Sequence, residues 1–173
     1  VKTVFPHVAV VYDPFHIVKL VNRAIDNAQR DLAAQIPKTV RCRRGLRFVL
    51  LRARENLGLK GASLLAELMQ INQPLYQAYL LKEQLRTLWS FPSAKLAERF
   101  LDQWINQAKA TGINSFGQLA KTLETHSHSI LAWYEHHITT GPLEGLNNKI
   151  KTLKRQAYGF RDLEYFQLRL AFI

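Results

Sequence analysis

Two acidic residues, Glu144 and Asp13, have the type and the setting for metal-dependent chemistry. Glu144 opens a predicted helix, and at about 100° per residue it shares one face with Asn148, Lys151 and Arg155. Asp13 ends a short apolar, β-branched run that predicts a buried strand. The two acids could converge at one end of a sheet, where carboxylates hold divalent metal ions for phosphoryl transfer. The bases beside Glu144 would then hold a phosphate backbone.

Each acid also has a purely structural interpretation. A carboxylate in the first turn of a helix is favoured by the helix dipole, by about 0.3 to 1 kcal/mol. An Asp after an extended segment often caps the next helix or makes an Asx turn. Taken singly, both Glu144 and Asp13 fit these roles better than a catalytic one, so the metal hypothesis depends on their pairing.

The positive charge of the chain is concentrated in two segments. The formal net charge is +11, and residues 38–60 carry eight basic side chains against one acidic, while 145–173 carry six against two. Clustered bases favour a polyanionic partner, because each neutralised phosphate releases counterions. A solubilising surface is the alternative. The predicted DNA contacts are Arg41, Arg43, Arg44 and Arg47 in the first segment, and Lys149, Lys151, Lys154 and Arg155 in the second.

Composition indicates a globular protein. With 173 residues, 47% of them hydrophobic, the chain can bury one sizeable core. No apolar run approaches the roughly 18 residues of a membrane span and no signal peptide is indicated, so we expect a soluble, cytoplasmic protein. Cys42 is the only cysteine, which excludes an internal disulfide and a Cys-rich zinc site.

The first 60 residues predict a strand, a helix and a second strand. The first strand runs from about residue 7 to Asp13. Apolar residues at helical spacing from Phe15 to about Ile36 predict an amphipathic helix. The short apolar run at 45–51 predicts the second strand.

From about Gly61 the pattern is helical. Apolar periodicity and Pro or Gly breaks predict helices at about 62–71, 74–89, 93–111 and 115–137. We expect Trp89, Trp104 and Trp133 in the core or at an interface of this nearly neutral lobe. Two further helices are predicted, from Pro142 and from about Asp162.

A group of histidines in the lobe could suggest a metal site. They lack companion cysteines and the usual zinc spacing, so a structural or surface role is favoured. The group consists of His126, His128, His136 and His137.

Two segments carry a resemblance to a known family. YDPFHIVKLVN, residues 12–22, is similar to the segment in which the second catalytic Asp of DDE-type transposases is followed by an aromatic residue and a His. TTGPLEGLNNKIKTLKRQAYGFRDLEYFQLRL, residues 139–170, is similar to the segment that holds the catalytic Glu. The chain thus resembles the ISL-three family of DDE-type transposases from bacterial insertion sequences over essentially its whole length.

This resemblance implies a ribonuclease-H-like catalytic fold whose acids bind Mg²⁺ or Mn²⁺, cleave transposon ends and join them to target DNA. Asp13 and Glu144 would be catalytic residues and metal ligands. His16 and Asn148 would lie beside the ligands, with a structural role favoured for His16. The partner would be double-stranded DNA, and a homodimer is possible. The family's first catalytic Asp belongs upstream of the segment beginning at Val1, so we expect a fragment with two of three acids that is inactive alone.

The expected fold is mainly α-helical with a short β element, as a partial ribonuclease-H-like (α/β) core that carries an all-helical insertion. Residues 1–60 would be the partial core, 61–137 the insertion lobe, and 138–173 the C-terminal helices of the core with the Glu motif.

Two other functions stay open. A decayed remnant could keep its basic segments and bind DNA without chemistry; removing bases would then flatten the salt dependence of binding, while removing Glu144 would not weaken it. A helical interaction module built on residues 61–137 would instead dimerise through that lobe and ignore DNA.

Overall fold

The computed structural model describes residues 9–36, 45–137, 141–156 and 163–170. The chain divides into two compact units, one ending at His137 and the other beginning at Ile138. Within the described ranges the regular structure is entirely helical. The mainly helical expectation is therefore confirmed.

The described helices follow one another along the chain with short connections. The first unit contains α1 (Pro14–Asp31), α2 (Leu46–Leu51), α3 (Leu59–Ile71), α4 (Gln73–Arg86), α5 (Ala94–Ala110), α6 (Asn114–Leu131) and α7 (Trp133–His136). Single turns of 3-10 helix lie at Ala33–Gln35, Arg54–Asn56 and Thr87–Ser90. The second unit contains α8 (Gly141–Gln156) and α9 (Leu163–Leu170).

Helix α1 lies at the centre of the first unit and packs against α4 and α6. Its start follows from sequence, since Asp13 caps the helix and Pro14 occupies its first turn, where a missing N–H costs nothing. Buried residues recur at helical spacing along the inner face, as at Ile17, Val21 and Ala28. The predicted helix from Phe15 is confirmed, although its α-helical part ends at Asp31.

The four helices predicted for the lobe are confirmed as α3 to α6, with ends that differ from the predicted ones by a few residues. Trp104 is fully buried and its indole N–H donates to the carbonyl of Leu81 at 2.8 Å, which joins α5 to α4. Its ring lies 6.3 Å from that of Phe116 on α6. Gly112 turns the chain between α5 and α6 at a φ of 70°, a left-handed conformation that favours glycine.

The strand predicted at 45–51 is wrong, because residues Leu46–Leu51 form α2. The buried residues are Leu46, Val49 and Leu50, which share one face of a helix and would fall on both faces of a strand. A short apolar run is compatible with either a buried strand or a buried helical turn, and tertiary packing determines that this one is helical.

The strand predicted before Asp13 is also wrong for residues 9–13, which have no regular secondary structure and pair with no strand among the described residues. Instead, the backbone N–H of Tyr12 donates to the carbonyl of Ser129 near the end of α6, at 3.0 Å. Residues 7 and 8 lie outside the described ranges. A segment docked on a helix can thus have the β-branched composition of a strand without forming a sheet.

Of the helices that the structure describes, none is both long and apolar enough to cross a membrane.

Candidate functional site

Asp13 is a buried carboxylate at the start of α1, with 6% of its surface exposed. Its Oδ1 accepts the backbone N–H of Phe15 at 2.9 Å, and its own backbone is extended, at φ −67° and ψ 136°. This is the geometry of a helix cap. The structural interpretation of Asp13, as the cap of α1, is thus met.

The segment that leads into Asp13 is held by α6. Besides the backbone bond from Tyr12 to Ser129, the hydroxyl of Tyr12 lies 3.5 Å from Nδ1 of His126, and the two rings lie 5.1 Å apart. Sequence analysis missed this contact, since Tyr12 was assigned to a strand and His126 to a histidine group. No pattern in the sequence indicates it, because the partners are 114 positions apart.

His16 is exposed on the first turn of α1. Its backbone N–H donates to the backbone carbonyl of Asp13 at 3.0 Å, and its ring meets that of Phe15 edge-on at 5.9 Å. These contacts belong to the turn itself. A role for the His16 side chain beside a metal stays a prediction.

Glu144 lies in the first turn of α8, as predicted, and its side chain falls outside the described residues. It belongs to the second unit and Asp13 to the first. Convergence of the two acids therefore stays a prediction.

The polar residues predicted on α8 are exposed. They are Asn148, Lys149, Lys151, Lys154 and Arg155. Only Ile150 and Leu153 are partly buried among the residues whose side chains the structure describes on this helix. Asn148, Lys151 and Arg155 fall on one side of the helix axis, so this part of α8 presents a basic row to solvent.

The basic segment before α2 is described only from Gly45 onward; Arg41, Arg43 and Arg44 lie outside the described residues. Arg47 is engaged by an acid of α1: its Nε and Nη2 donate to Oδ1 and Oδ2 of Asp26, both at 2.8 Å. This hydrogen-bonded pair lowers the pKa of Asp26 and raises that of Arg47. The sequence predicted Arg47 as a free DNA contact and gave no sign of its partner.

Lys82 is a fully buried lysine that holds the end of α2. Its Nζ donates to the carbonyls of Leu50 at 2.9 Å and Arg52 at 2.6 Å, and it lies 2.9 Å from Oε1 of Glu83. Burial lowers the pKa of Lys82. One sequence signal could have found it: Lys82 occupies the helical stripe of α4 whose other positions, such as Leu85, are apolar and buried.

A second set of charges surrounds Lys82 at the surface. Arg86 donates to both Glu55, at 2.7 Å, and Glu83, at 3.1 Å. Glu83 also accepts the backbone N–H of Arg54 at 2.8 Å. The network ties the connection between α2 and α3 to α4.

The histidine group does not form a cluster. His126 contacts Tyr12, and the ring of His137 meets that of Trp133 edge-on at 4.8 Å. His128 and His136 line a depression of 550 Å³ beside α5 and α6. In the part of the chain that the structure describes, no three His, Cys, Asp or Glu side chains are grouped so that they could hold a metal ion.

Comparison with known proteins identifies transposases. A family model described as transposase, of the DDE type and the ISL-three group, matches residues 1–170. The transposase for insertion sequence element IS1001 of Bordetella parapertussis is 40% identical over 169 residues, which cover 95% of this chain and 42% of that protein. The transposase for insertion sequence element IS1557 of Mycobacterium tuberculosis is 32% identical over 174 residues, covering 87% and 39%. The chain therefore spans about two fifths of the length of these curated relatives.

A much shorter similarity reaches a protein called ATP-dependent protease in Lactococcus lactis, at 62% identity over 32 residues, or 18% of this chain. So small a share carries no argument about function. No solved structure matches the chain.

Proposed function

This chain belongs to the ISL-three family of insertion-sequence transposases, and we propose that it forms the C-terminal part of a catalytic domain that cleaves DNA and joins transposon ends to a target. Asp13 and Glu144 are its two catalytic acids in this proposal, and the third acid comes from outside residues 1–173. The substrate is double-stranded DNA, comprising the ends of the insertion sequence and the target. A homodimer is part of the same proposal.

The observation that carries this proposal is the setting of Asp13 inside the family match. Asp13 is 6% exposed, and the bond that its Oδ1 accepts from Phe15 sets the direction of the carboxylate. Tyr12, the residue before it, is bonded to Ser129 on α6, and Phe15, two residues after it, donates to its carboxylate. The position of Asp13 is therefore restrained by contacts on its N-terminal and C-terminal sides. A metal ligand needs such a fixed position.

The donor chemistry of the acids fits the metal that the family implies. Carboxylate oxygens are the ligands that Mg²⁺ and Mn²⁺ prefer. The described residues contain no group of three such ligands, and the side chain of Glu144 lies outside them. When bound, the metal would activate the attacking oxygen and stabilise the leaving one. Asp13 and Glu144 would hold it, and His16 and Asn148 would lie beside them.

The exposed bases of α8 bind the DNA backbone in this proposal. Lys149, Lys151, Lys154 and Arg155 carry four positive charges within two turns of the helix that opens with Glu144. Phosphate contacts of this kind supply most of the sequence-independent affinity of DNA-binding proteins. Arg41, Arg43, Arg44 and Arg47 extend the same role to the first unit.

In the complete protein, residues 1–60 and 138–173 would join a ribonuclease-H-like core, with 61–137 as a helical insertion. From the described residues of this chain, the contribution to that core is helical and includes α1, α2 and α8.

The test is nicking of supercoiled plasmid in Mn²⁺ by the chain, compared with Asp13→Asn and Glu144→Gln. Asn caps a helix about as well as Asp, so Asp13→Asn keeps the bond to Phe15 and removes the charged ligand. Asp102→Asn and Glu98→Gln, at exposed positions of α5, are matched controls. Any nicking by the chain should be lost in the first two variants and kept in the controls.

A chimera provides the test if the chain alone does not nick DNA. The matching segment of the Bordetella relative is replaced by this chain, and transposition is measured with the same four substitutions. Transposition that survives both Asp13→Asn and Glu144→Gln would refute the assignment of these residues. Loss in the two controls as well would point to failure of the fold.

DNA binding without chemistry is the second candidate. The exposed basic row of α8 favours it. It predicts that Glu144→Gln and Asp13→Asn leave DNA affinity unchanged and that no metal-dependent nicking occurs in the chimera.

A further inference from the structure

A depression between α1 and α2 offers hydrogen-bond donors of the kind that hold a phosphate group. Its volume is 400 Å³, and it is lined by Asp26, Gln29, Arg30, Ala33 and Arg47. Arg30 and Arg47 contribute two guanidinium groups to the lining, Gln29 contributes an amide, and Asp26 contributes a single carboxylate. With both arginines charged and Asp26 ionised, the net charge of the lining is positive.

Asp26 occupies the place on Arg47 that a phosphate would take. The guanidinium of Arg47 presents Nε and Nη2 in parallel to the two carboxylate oxygens, both at 2.8 Å. A phosphate group accepts the same two parallel bonds from arginine. The geometry of Arg47 is therefore already that of a bound phosphate contact.

Arg30 is held at the rim of the depression by its own helix. Its Nε donates to the backbone carbonyl of Asp26 at 3.4 Å, and its Nη2 donates to the side-chain oxygen of Asn27. These bonds fix the guanidinium one turn from Asp26 and leave the residue exposed.

The pair of Arg47 and Asp26 can open without unfolding the unit. The side chain of Arg47 is 59% exposed and that of Asp26 is 26% exposed. Exposed ion pairs contribute little to stability. Arg47 also lies within the segment 38–60, which has the largest excess of basic residues in the chain.

We propose that this depression binds one backbone phosphate of double-stranded DNA through Arg30 and Arg47, and that Asp26 competes with that phosphate for Arg47. The inference rests on the proposed binding of DNA by this chain. As a consequence, the ion pair lowers the sequence-independent affinity for DNA, because a phosphate can bind Arg47 only by displacing Asp26.

The test compares Asp26→Asn with Glu124→Gln for binding to a fluorescent duplex of random sequence, between 50 and 200 mM salt. Glu124 accepts both of its bonds from Lys109 at 2.8 Å in another exposed pair of the same unit, so both variants remove one negative charge and release one base. Asp26→Asn should bind about fivefold more tightly than Glu124→Gln, the effect of one charge contact in water. Its plot of log affinity against log salt should be steeper by up to about 0.9.

Two further variants make the outcome decisive. Adding Arg47→Gln to Asp26→Asn should abolish the gain, because no guanidinium is then released. Arg30→Gln alone, with the ion pair intact, should weaken binding. Equal affinity of Asp26→Asn and Glu124→Gln, or no effect of Arg30→Gln, would overturn the inference while leaving DNA binding in place.

Absence of DNA binding by the unmodified chain would overturn both the DNA-binding proposal and this inference. Thermal unfolding followed by circular dichroism establishes that each variant is folded. If Asp26→Asn does not fold, Arg30→Gln decides the question.

Discussion

The basic side chains of the two units are held in different ways. Several in the first unit are engaged by the fold: Lys82 by carbonyls, and Arg47, Arg86 and Lys109 by acids. Those of α8 are exposed, and no ion pair joins them to an acid whose side chain the structure describes. The positive charge that is accessible at the surface is thus smaller in the first unit than its count of bases suggests, whereas the bases of α8 are accessible.

The largest expected effect comes from the buried base. Lys82→Met keeps the length of the side chain but leaves the carbonyls of Leu50 and Arg52 without their donor and removes one of the two cations beside Glu83. We expect the free energy of unfolding to fall by about 2 to 4 kcal/mol. Urea denaturation followed by circular dichroism measures it.

Lys109→Met is the matched control, because Lys109 is 38% exposed in its pair with Glu124. Its cost should stay below about 1 kcal/mol. An equal fall in the free energy of unfolding in the two variants would mean that burial of the base does not increase its contribution to stability.

The next effect concerns DNA. Replacing Lys151 and Arg155 by Gln should weaken duplex binding and reduce the salt slope by about 0.9 per residue, if each base neutralises one phosphate. Replacing Arg86 and Lys109 by Gln makes the same change in net charge at paired positions and should leave the slope nearly unaltered. Equal slopes in the two double variants would remove the distinction between engaged and accessible bases.

The buried Tyr79 beside Lys82 predicts a change of stability at alkaline pH. Its ring lies under Lys82, with Nζ 4.5 Å from the ring centroid, and its buried hydroxyl has no hydrogen-bond partner among the described residues. Burial raises the pKa of Tyr79 to about 12, from an ordinary value of 10.0. The unfolded chain then loses this proton first, so stability falls as pH rises from about 10 to 12.

Tyr79→Phe should remove that alkaline loss and keep the ring beneath Lys82. At pH 7 its stability should equal or exceed that of the parent by up to about 1 kcal/mol, since an unpaired buried hydroxyl is removed. Urea denaturation at several pH values, with both proteins under the same conditions, provides the test. An unchanged alkaline fall in Tyr79→Phe would contradict it.

The smallest effect is expected at acid pH. The hydrogen bond from Arg86 holds the pKa of Glu55 at about 2, against an ordinary 4.5. This contribution is present above about pH 4.5 and is lost as pH falls towards 2. Glu55→Gln should flatten the acid limb of a stability-against-pH curve slightly, and Arg86→Gln should do the same. A change in only one of the two would show that their pair is not the cause.

Much of the fold could be predicted because helical periodicity is a local signal. The stripe of α1 and the four lobe helices follow from apolar spacing, with breaks near Pro74, Pro92 and Gly112. Residues 45–51 could not be assigned in this way, because the short apolar run Leu46–Leu51 is compatible with the period of either a helix or a strand. Their burial against α3 decided in favour of a helix.

The candidate site was predicted only in part. Each of the two acids, Asp13 and Glu144, lies in a motif made of consecutive residues, so both could be proposed from the sequence. The cap at Asp13 could also be predicted, from the adjacent Pro14 and Phe15. The contact that fixes Asp13 could not be named, because Ser129 is remote in the chain. The engagement of Arg47 by Asp26 is equally remote, at a separation of 21 residues.

The sequence by itself determined the helices, the excess of positive charge and the two motifs of a transposase family, because each of these is carried by neighbouring residues. Tertiary structure decided which charges are available and which are engaged. Ion pairs and buried carbonyl contacts join residues that only the packing of α1, α2 and α4 brings within bonding distance. Lys82 and Arg47 are basic residues in the sequence, and in the folded protein the first supports the core while the second is held by an acid.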